Sequence, residues 1–158
     1  MNNDLFDCAR YEMLSLSALS NRTLRIYQGG ATVSRLEKLR KVVDYPPSYR
    51  YLTACGHTPH NCNKCIKCRR TILELYAIDA LEKYRAVFDV DYFYAHKTWY
   101  FVRYLSKYWQ HNSYFVEIYP LLKNRIPLKD KVLAFITYTP QVLYRNFQNW
   151  RKNNPKGE

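Results

Sequence analysis

Four of the chain's five cysteines lie within fourteen consecutive positions, and this cluster constrains the fold more than any other feature of the sequence. The pattern is Cys55-x6-Cys62-x2-Cys65-x2-Cys68. Two residues between cysteines let a tight turn direct both sulfur atoms at one ion, and Cys55 can complete a tetrahedron from across the turn. The spacing therefore predicts a closed metal site, and we expect a structural Zn²⁺ with no open position for water.

Other uses of the same cysteines stay open from the sequence alone. Thiolates are soft ligands that also hold iron–sulfur clusters, and Cys-x2-Cys-x2-Cys opens the ligand run of bacterial ferredoxins. The Cys-Pro that continues that run is missing after Cys68, so an Fe–S cluster is the minor alternative, followed by unligated or redox-active cysteines. His57 and His60 could each replace Cys55 as fourth ligand, but with four cysteines available we expect both histidines to be loop residues.

The chain is strongly basic, with 25 Lys and Arg against 13 Asp and Glu and a formal net charge of +12. This excess favours acidic partners such as nucleic acid, nucleotide phosphates or an anionic membrane surface, without choosing among them. The first residues are polar and acidic, and no run of about 18 apolar residues is present, so we expect neither a signal peptide nor a transmembrane segment. We therefore expect a cytoplasmic protein, in which clustered cysteines indicate metal chemistry rather than disulfides.

Hydrophobic periodicity predicts a mainly α fold. Helices are expected at 4–19, from Ser34 to the prolines at 46–47, and at 67–80, 90–109, 113–123, 129–138 and from Thr139-Pro140 onward. Ser34 and Glu37 have the spacing of a capping box, and Asp89 precedes its helix as a cap. One short strand is expected at 23–27, which forms a βα unit with the helix that starts at Ser34.

These elements predict a single helical zinc-bearing domain over residues 1–150. It comprises a βα-containing part at 1–54, a four-cysteine zinc knuckle at 55–70 and further helices at 71–150. The polar segment 151–158 is expected to be a flexible tail.

The C-terminal half mixes aromatic and basic side chains. The aromatic residues include Trp99, Tyr100, Tyr104, Tyr108, Trp109, Tyr138, Tyr144, Phe147 and Trp150, and the cations near the end are Arg145, Arg151 and Lys152. Aromatic rings interleaved with cations suit single-stranded nucleic acid, and they also suit a helix lying on an anionic membrane. We favour a third interpretation, a tyrosine-rich helical core with snorkelling Lys and Arg.

Residues 61–71, Asn-Cys-Asn-Lys-Cys-Ile-Lys-Cys-Arg-Arg-Thr, resemble the NCGxCxKCxRT segment of a group of bacterial proteins. Those proteins look like members of the PP-loop ATP pyrophosphatase (adenine nucleotide α-hydrolase) superfamily. Residues 29–38 similarly resemble the group's G…SRxEK segment, and the likeness covers roughly residues 10–95. In the same superfamily, 7-cyano-7-deazaguanine synthase has a similar cluster near its C-terminus that binds zinc. The resemblance implies zinc here, in a chain that corresponds to the C-terminal part of such a protein.

The ATP-binding loop of that superfamily, Ser-Gly-Gly-x-Asp-Ser, has no counterpart in this sequence. The resemblance therefore implies an adenylating, ATP-dependent enzyme that binds ATP only with a completing PP-loop chain or domain, and it assigns no catalytic residue here. A strand, a glycine turn and a capped helix start can still hold an anion, with contacts from Gly29, Gly30, Arg35 and Lys38. A plain capping box with a flexible turn explains the same residues, and we favour that interpretation.

Two hypotheses of function result. In the first, the chain is the zinc-stabilised C-terminal part of a PP-loop ATP pyrophosphatase-like protein and helps to form a nucleotide or substrate cleft. In the second, it is a stand-alone basic zinc module that binds RNA or another polyanion. An oligomer is compatible with both.

Overall fold

The computed structural model of the chain describes residues 15–16, 18–26, 33–110 and 113–153, which are mainly helical with no β-strand among them. The helices are α1 (Arg35–Val43), α2 (Ser48–Tyr51), α3 (Ile66–Ala77), α4 (Val90–Ala95), α5 (Lys97–Tyr108), α6 (Ser113–Val116), α7 (Tyr119–Leu122) and α8 (Leu128–Asn153), with a 3₁₀ helix at Leu81–Tyr84. The predicted mainly α fold class is confirmed. Of the helix predicted at 4–19, only the end is described, where Ser15, Leu16 and Ala18 are helical.

Contacts along the backbone divide the chain into two compact units, Met1–Lys38 and Leu39–Glu158. All four clustered cysteines belong to the second unit. The expectation of one domain over 1–150 stays a prediction. Residues 151–153 of the predicted tail continue α8, and residues 154–158 lie outside the described ranges.

The predicted βα unit is not found, because residues 23–26 are irregular rather than extended in a sheet. The side-chain oxygen of Asn21 accepts hydrogen bonds from the backbone N–H groups of Thr23 and Leu24, at 2.9 and 2.8 Å. The hydroxyl of Ser20 accepts a third, from the N–H of Ile26 at 3.0 Å. These local bonds occupy the donors that a neighbouring strand would need. Tyr27, the last residue of the predicted strand, lies outside the described residues.

The capping box at the start of α1 is confirmed. The N–H of Glu37 donates to Ser34 Oγ at 3.2 Å, and the N–H of Ser34 donates to Glu37 Oε2 at 3.0 Å. The helix ends at Val43, before the two prolines that the sequence marked as its limit. Both ends of α1 are thus set by residues within one turn of them.

The helix predicted at 90–109 is two helices, α4 and α5, which meet at His96. The His96 ring stacks on the Tyr92 ring at a centroid distance of 4.0 Å, and His96 Nδ1 lies 2.9 Å from the Tyr92 carbonyl oxygen. The backbone N–H of His96 donates to the same carbonyl at 3.0 Å, and the chain turns at this residue. The predicted cap of α4 is confirmed, since Asp89 Oδ1 accepts from the N–H of Tyr92 at 2.9 Å.

Two further helix boundaries were predicted incorrectly. The segment 113–123 is split into α6 and α7, because Pro120 lies in the first turn of α7 and cannot continue a preceding helix. Conversely, α8 runs through Pro140, where the sequence predicted a new helix. This helix packs against α5, with the rings of Trp109 and Tyr138 5.6 Å apart. That packing outweighs the tendency of Pro140 to end a helix.

The core of the second unit is rich in tyrosine, as expected. Tyr84, Tyr100 and Tyr104 are each at most 1% exposed. Their hydroxyls are bonded: Tyr84 to Ser48 Oγ at 2.8 Å, Tyr104 to the Phe115 carbonyl at 2.8 Å, and Tyr100 to the Asn63 carbonyl at 3.2 Å. The aromatic bodies fill the interior while each polar tip keeps a partner. Within the described ranges, none of the helices combines the length and the apolar character that crossing a bilayer requires.

Candidate metal centre

The four cysteines converge on one point. Their Sγ atoms all lie within 4.8 Å of one another, with Cys55 and Cys65 4.0 Å apart and Cys62 and Cys68 3.9 Å apart. A tetrahedral ion with metal–sulfur bonds of about 2.3 Å places its sulfurs about 3.8 Å from each other. The spacing of the sulfur atoms therefore matches four ligands of one metal ion, as the sequence predicted.

Three of the ligands are placed by the start of α3. Cys65 is the N-cap, and its Sγ accepts a hydrogen bond from the N–H of Cys68 at 3.4 Å. The N–H of Cys65 in turn donates to Cys62 Sγ at 3.3 Å. These N–H groups, together with the positive end of the helix dipole, stabilise thiolate charge. Cys68 lies in the first turn of α3 and is fully buried, so it closes the site on the side that faces the protein interior.

The fourth ligand, Cys55, comes from the loop before α3, and Asn61 holds that loop in place. Asn61 Oδ1 accepts from the N–H groups of Ala54 and Cys55, at 2.8 and 3.3 Å. Its Nδ2 donates to the carbonyls of Leu52 at 2.8 Å and Val87 at 3.0 Å. The Cys68 thiol also donates to Asn61 Oδ1 at 3.9 Å, so one amide side chain makes five hydrogen bonds and ties the cysteine loop to the segment before α4.

Asn63 connects the turn between Cys62 and Cys65 to the rest of the unit. Its backbone has a positive φ of 58°, and its Oδ1 accepts from the N–H of Asp89 at 3.1 Å. Its carbonyl accepts from the Tyr100 hydroxyl at 3.2 Å. Through these bonds the metal-binding turn is fixed against α4 and α5.

The local environment shifts the pKa values of the thiols in different directions. The Thr58 hydroxyl and the backbone N–H of His57 lower the pKa of Cys55 to about 5. The pKa of Cys62 is also lowered, chiefly by the backbone N–H of Cys65. Burial raises the pKa of Cys68 to about 12. The surroundings of Cys55 and Cys62 therefore favour the thiolate, whereas Cys68 would lose its proton only in exchange for a bound cation.

Nearby cations offset the charge that four thiolates would place on a divalent ion. Lys64 and Lys67 are exposed beside the cluster. Lys67 crosses the cysteine loop so closely that a Cβ added at Gly56 would lie 3.0 Å from its Nζ. The histidines of the loop, His57 and His60, are exposed and do not belong to the cluster.

The predicted anion site is described only in part. Arg35 is half-buried and Lys38 exposed on α1, whereas Gly29 and Gly30 lie outside the described residues. The anion site therefore stays a prediction. The fifth cysteine, Cys8, also lies outside the described residues.

The sequence did not reveal the supporting roles of Asn61 and Asn63. Both flank Cys62, and asparagine tolerates positive φ better than most residues, which is the signal that could have indicated a turn at Asn63. Their distant partners, Val87 and Tyr100, carry no such signal.

Comparisons with protein-family models, with curated proteins and with solved structures give no match for this chain.

Proposed function

We propose that Cys55, Cys62, Cys65 and Cys68 hold one structural Zn²⁺ that stabilises the second unit. The observation that carries this proposal is the mutual approach of the four Sγ atoms within 4.8 Å. Four protein thiolates complete a tetrahedral shell and leave no position for water or substrate, so the ion supports structure rather than chemistry. Structural zinc contributes about 10–16 kcal/mol of binding free energy, which is comparable with or exceeds the whole stability of a typical domain.

Metal analysis of the purified chain tests this proposal. We expect about one zinc per chain, and a strong chelator should reduce the helical circular dichroism. Cys62→Ser should lose zinc and helix together, whereas Cys8→Ser, the matched control, should keep both. A brown protein that contains iron and absorbs visible light would instead show an Fe–S cluster.

We further propose that this zinc-bearing unit is the C-terminal part of a PP-loop ATP pyrophosphatase-like protein, where it helps to form a nucleotide or substrate cleft. The resemblance at residues 61–71 supports this assignment. The absent Ser-Gly-Gly-x-Asp-Ser loop means that a second chain or domain would have to supply the ATP phosphate contacts.

Incubation of the purified chain with ATP and Mg²⁺ tests whether ATP cleavage needs a second chain or domain. We expect no AMP or pyrophosphate from the chain alone, and their release when a chain that carries the missing loop and forms a complex with it is added. Hydrolysis of ATP to AMP by the isolated chain would contradict the proposal.

A second candidate function is polyanion binding by a stand-alone zinc module. It is favoured by one observation, the meeting of two guanidinium groups at a half-exposed tryptophan, Trp99. Fluorescence anisotropy with single-stranded RNA at several salt concentrations tests it. Affinity that falls steeply with salt, together with no complex with any PP-loop chain, would favour this function over the first.

A further inference from the structure

A cleft of about 60 Å³ lies between α3 and α5, directly beside the metal centre. Leu73 and Phe115 contribute to its apolar wall. Three cations line it as well: Arg69 from the first turn of α3, and Arg103 and Lys107 from α5.

The charged residues that line the cleft are all positive. None of the described residues that line it is acidic. The described part of the chain contains ion pairs at Arg70, Arg85 and Arg125, but none at Arg69, Arg103 or Lys107. Three positive charges without a neutralising carboxylate favour an anionic ligand.

The two arginines also converge on one aromatic ring. The Cζ atoms of Arg69 and Arg103 lie 4.9 and 4.7 Å from the centroid of Trp99, which is 39% exposed. Two guanidinium groups beside one ring repel each other, and an anion bound to both would offset that repulsion. Guanidinium groups present a planar fork of donors that matches phosphate oxygens, and an exposed indole offers a surface for a base.

We propose that this cleft binds the phosphate group of a nucleotide, with Arg69 and Arg103 on the phosphate and the base outside the cleft against the exposed Trp99. The proposal deepens the proposed function and rests on it, because the α3 wall begins at the metal ligands Cys65 and Cys68. It assigns Arg69, Arg103 and Trp99 of this chain to nucleotide binding.

Isothermal titration of the zinc-loaded chain with AMP, adenosine and a short oligouridylate tests the proposal. We expect AMP or the oligonucleotide to bind and adenosine to bind at least about 10-fold more weakly, because adenosine lacks the phosphate. The tighter of AMP and oligouridylate identifies a free nucleotide or an RNA chain as the source of the phosphate.

Substitutions test the assigned residues. Arg69→Gln and Arg103→Gln should each weaken binding of the phosphate probe by about 10-fold, the effect of losing one charge-assisted hydrogen bond. Arg50→Gln, which removes the same charge from exposed α2, is the matched control and should bind like the unmodified chain. Quenching of tryptophan fluorescence by AMP should be largely lost in Trp99→Phe.

Three results would overturn the cleft assignment: equal affinity for adenosine and AMP, no binding of either phosphate probe, or Arg69→Gln and Arg103→Gln variants that bind like Arg50→Gln. Zinc content measured on the same samples separates the two proposals. A zinc-loaded chain that binds neither probe would support the metal site and contradict the cleft assignment. A folded chain without zinc would contradict the proposed metal function itself.

Discussion

Asn63 is the residue at which the metal-binding turn departs most from ordinary backbone geometry. Its φ of 58° lies in the left-handed region, and the segment that residues 61–71 resemble has glycine at this place. Asparagine accepts the conformation at a moderate cost and adds side-chain bonds to the N–H of Asp89 and the carbonyl of Asn61. Asn63 therefore gains two side-chain hydrogen bonds, and its backbone conformation is less favourable than it would be for glycine.

Substitution of Asn63 by alanine should destabilise the zinc-loaded chain by roughly 1–2 kcal/mol, because a Cβ without a bonding side chain disfavours left-handed backbone. Asn63→Gly is the control, since it relaxes the backbone while losing the same side-chain bonds, and it should be the less harmful of the two. Urea unfolding followed by circular dichroism measures the difference. An Asn63→Ala chain as stable as Asn63→Gly would show that the backbone conformation is not what limits this position.

At the scale of elements, α4 depends on its cap. The helix has only six residues, and Asp89 Oδ1 satisfies the N–H of Tyr92 at its start. The backbone N–H of Asp89 is itself bonded to Asn63, so the cap is fixed from the metal side. A short helix with few internal bonds relies on such terminal contacts more than a long one does.

Asp89→Ala should lower the free energy of unfolding by about 1 kcal/mol, because one terminal N–H of α4 loses its acceptor. Asp89→Asn should retain most of the stability, since the amide oxygen can accept the same bond. Thermal unfolding of both variants against the unmodified chain measures this. Equal losses in the two variants would mean that the carboxylate charge, rather than the cap, is what stabilises α4.

The features that could be predicted from sequence are those determined by residues a few positions away in the chain. The capping box at Ser34, the cap at Asp89 and the spacing of the four cysteines all depend on neighbours a few positions away. The turn at His96 and the passage of α8 through Pro140 depend on ring stacking and on packing between helices. For the same reason the four metal ligands were predictable, whereas the hydrogen bonds of Asn61 to Val87 and of Asn63 to Tyr100, which span many residues, were not.

At the scale of the molecule, the second unit is built around tyrosines that stay uncharged. Burial raises the pKa of Tyr100 to about 12 and raises the pKa of Tyr104 further. The ordinary value is 10.0, which the unfolded chain should approach. Since the folded-state pKa values are the higher ones, the stability that they represent is complete below pH 10 and is lost as pH rises through the folded values.

The free energy of unfolding should therefore stay level up to about pH 10 and then fall as pH rises toward 12. Denaturant unfolding at a series of alkaline pH values measures the slope. Tyr104→Phe should be less stable at neutral pH, because it leaves the Phe115 carbonyl without its partner, yet its stability should fall less steeply above pH 10. A steep loss of equal slope in both proteins would assign the alkaline transition to other groups.

The close spacing of the four cysteines also bears on how the chain acquires its structure. Closing a short loop costs little chain entropy, and all four ligands are present once residue 68 has been synthesised. Because synthesis proceeds from the N-terminus, the four cysteines precede α4 to α8. If they hold Zn²⁺ as proposed, we expect the metal to act as a local nucleus onto which the later helices dock, with Tyr100 reaching a turn that is already formed.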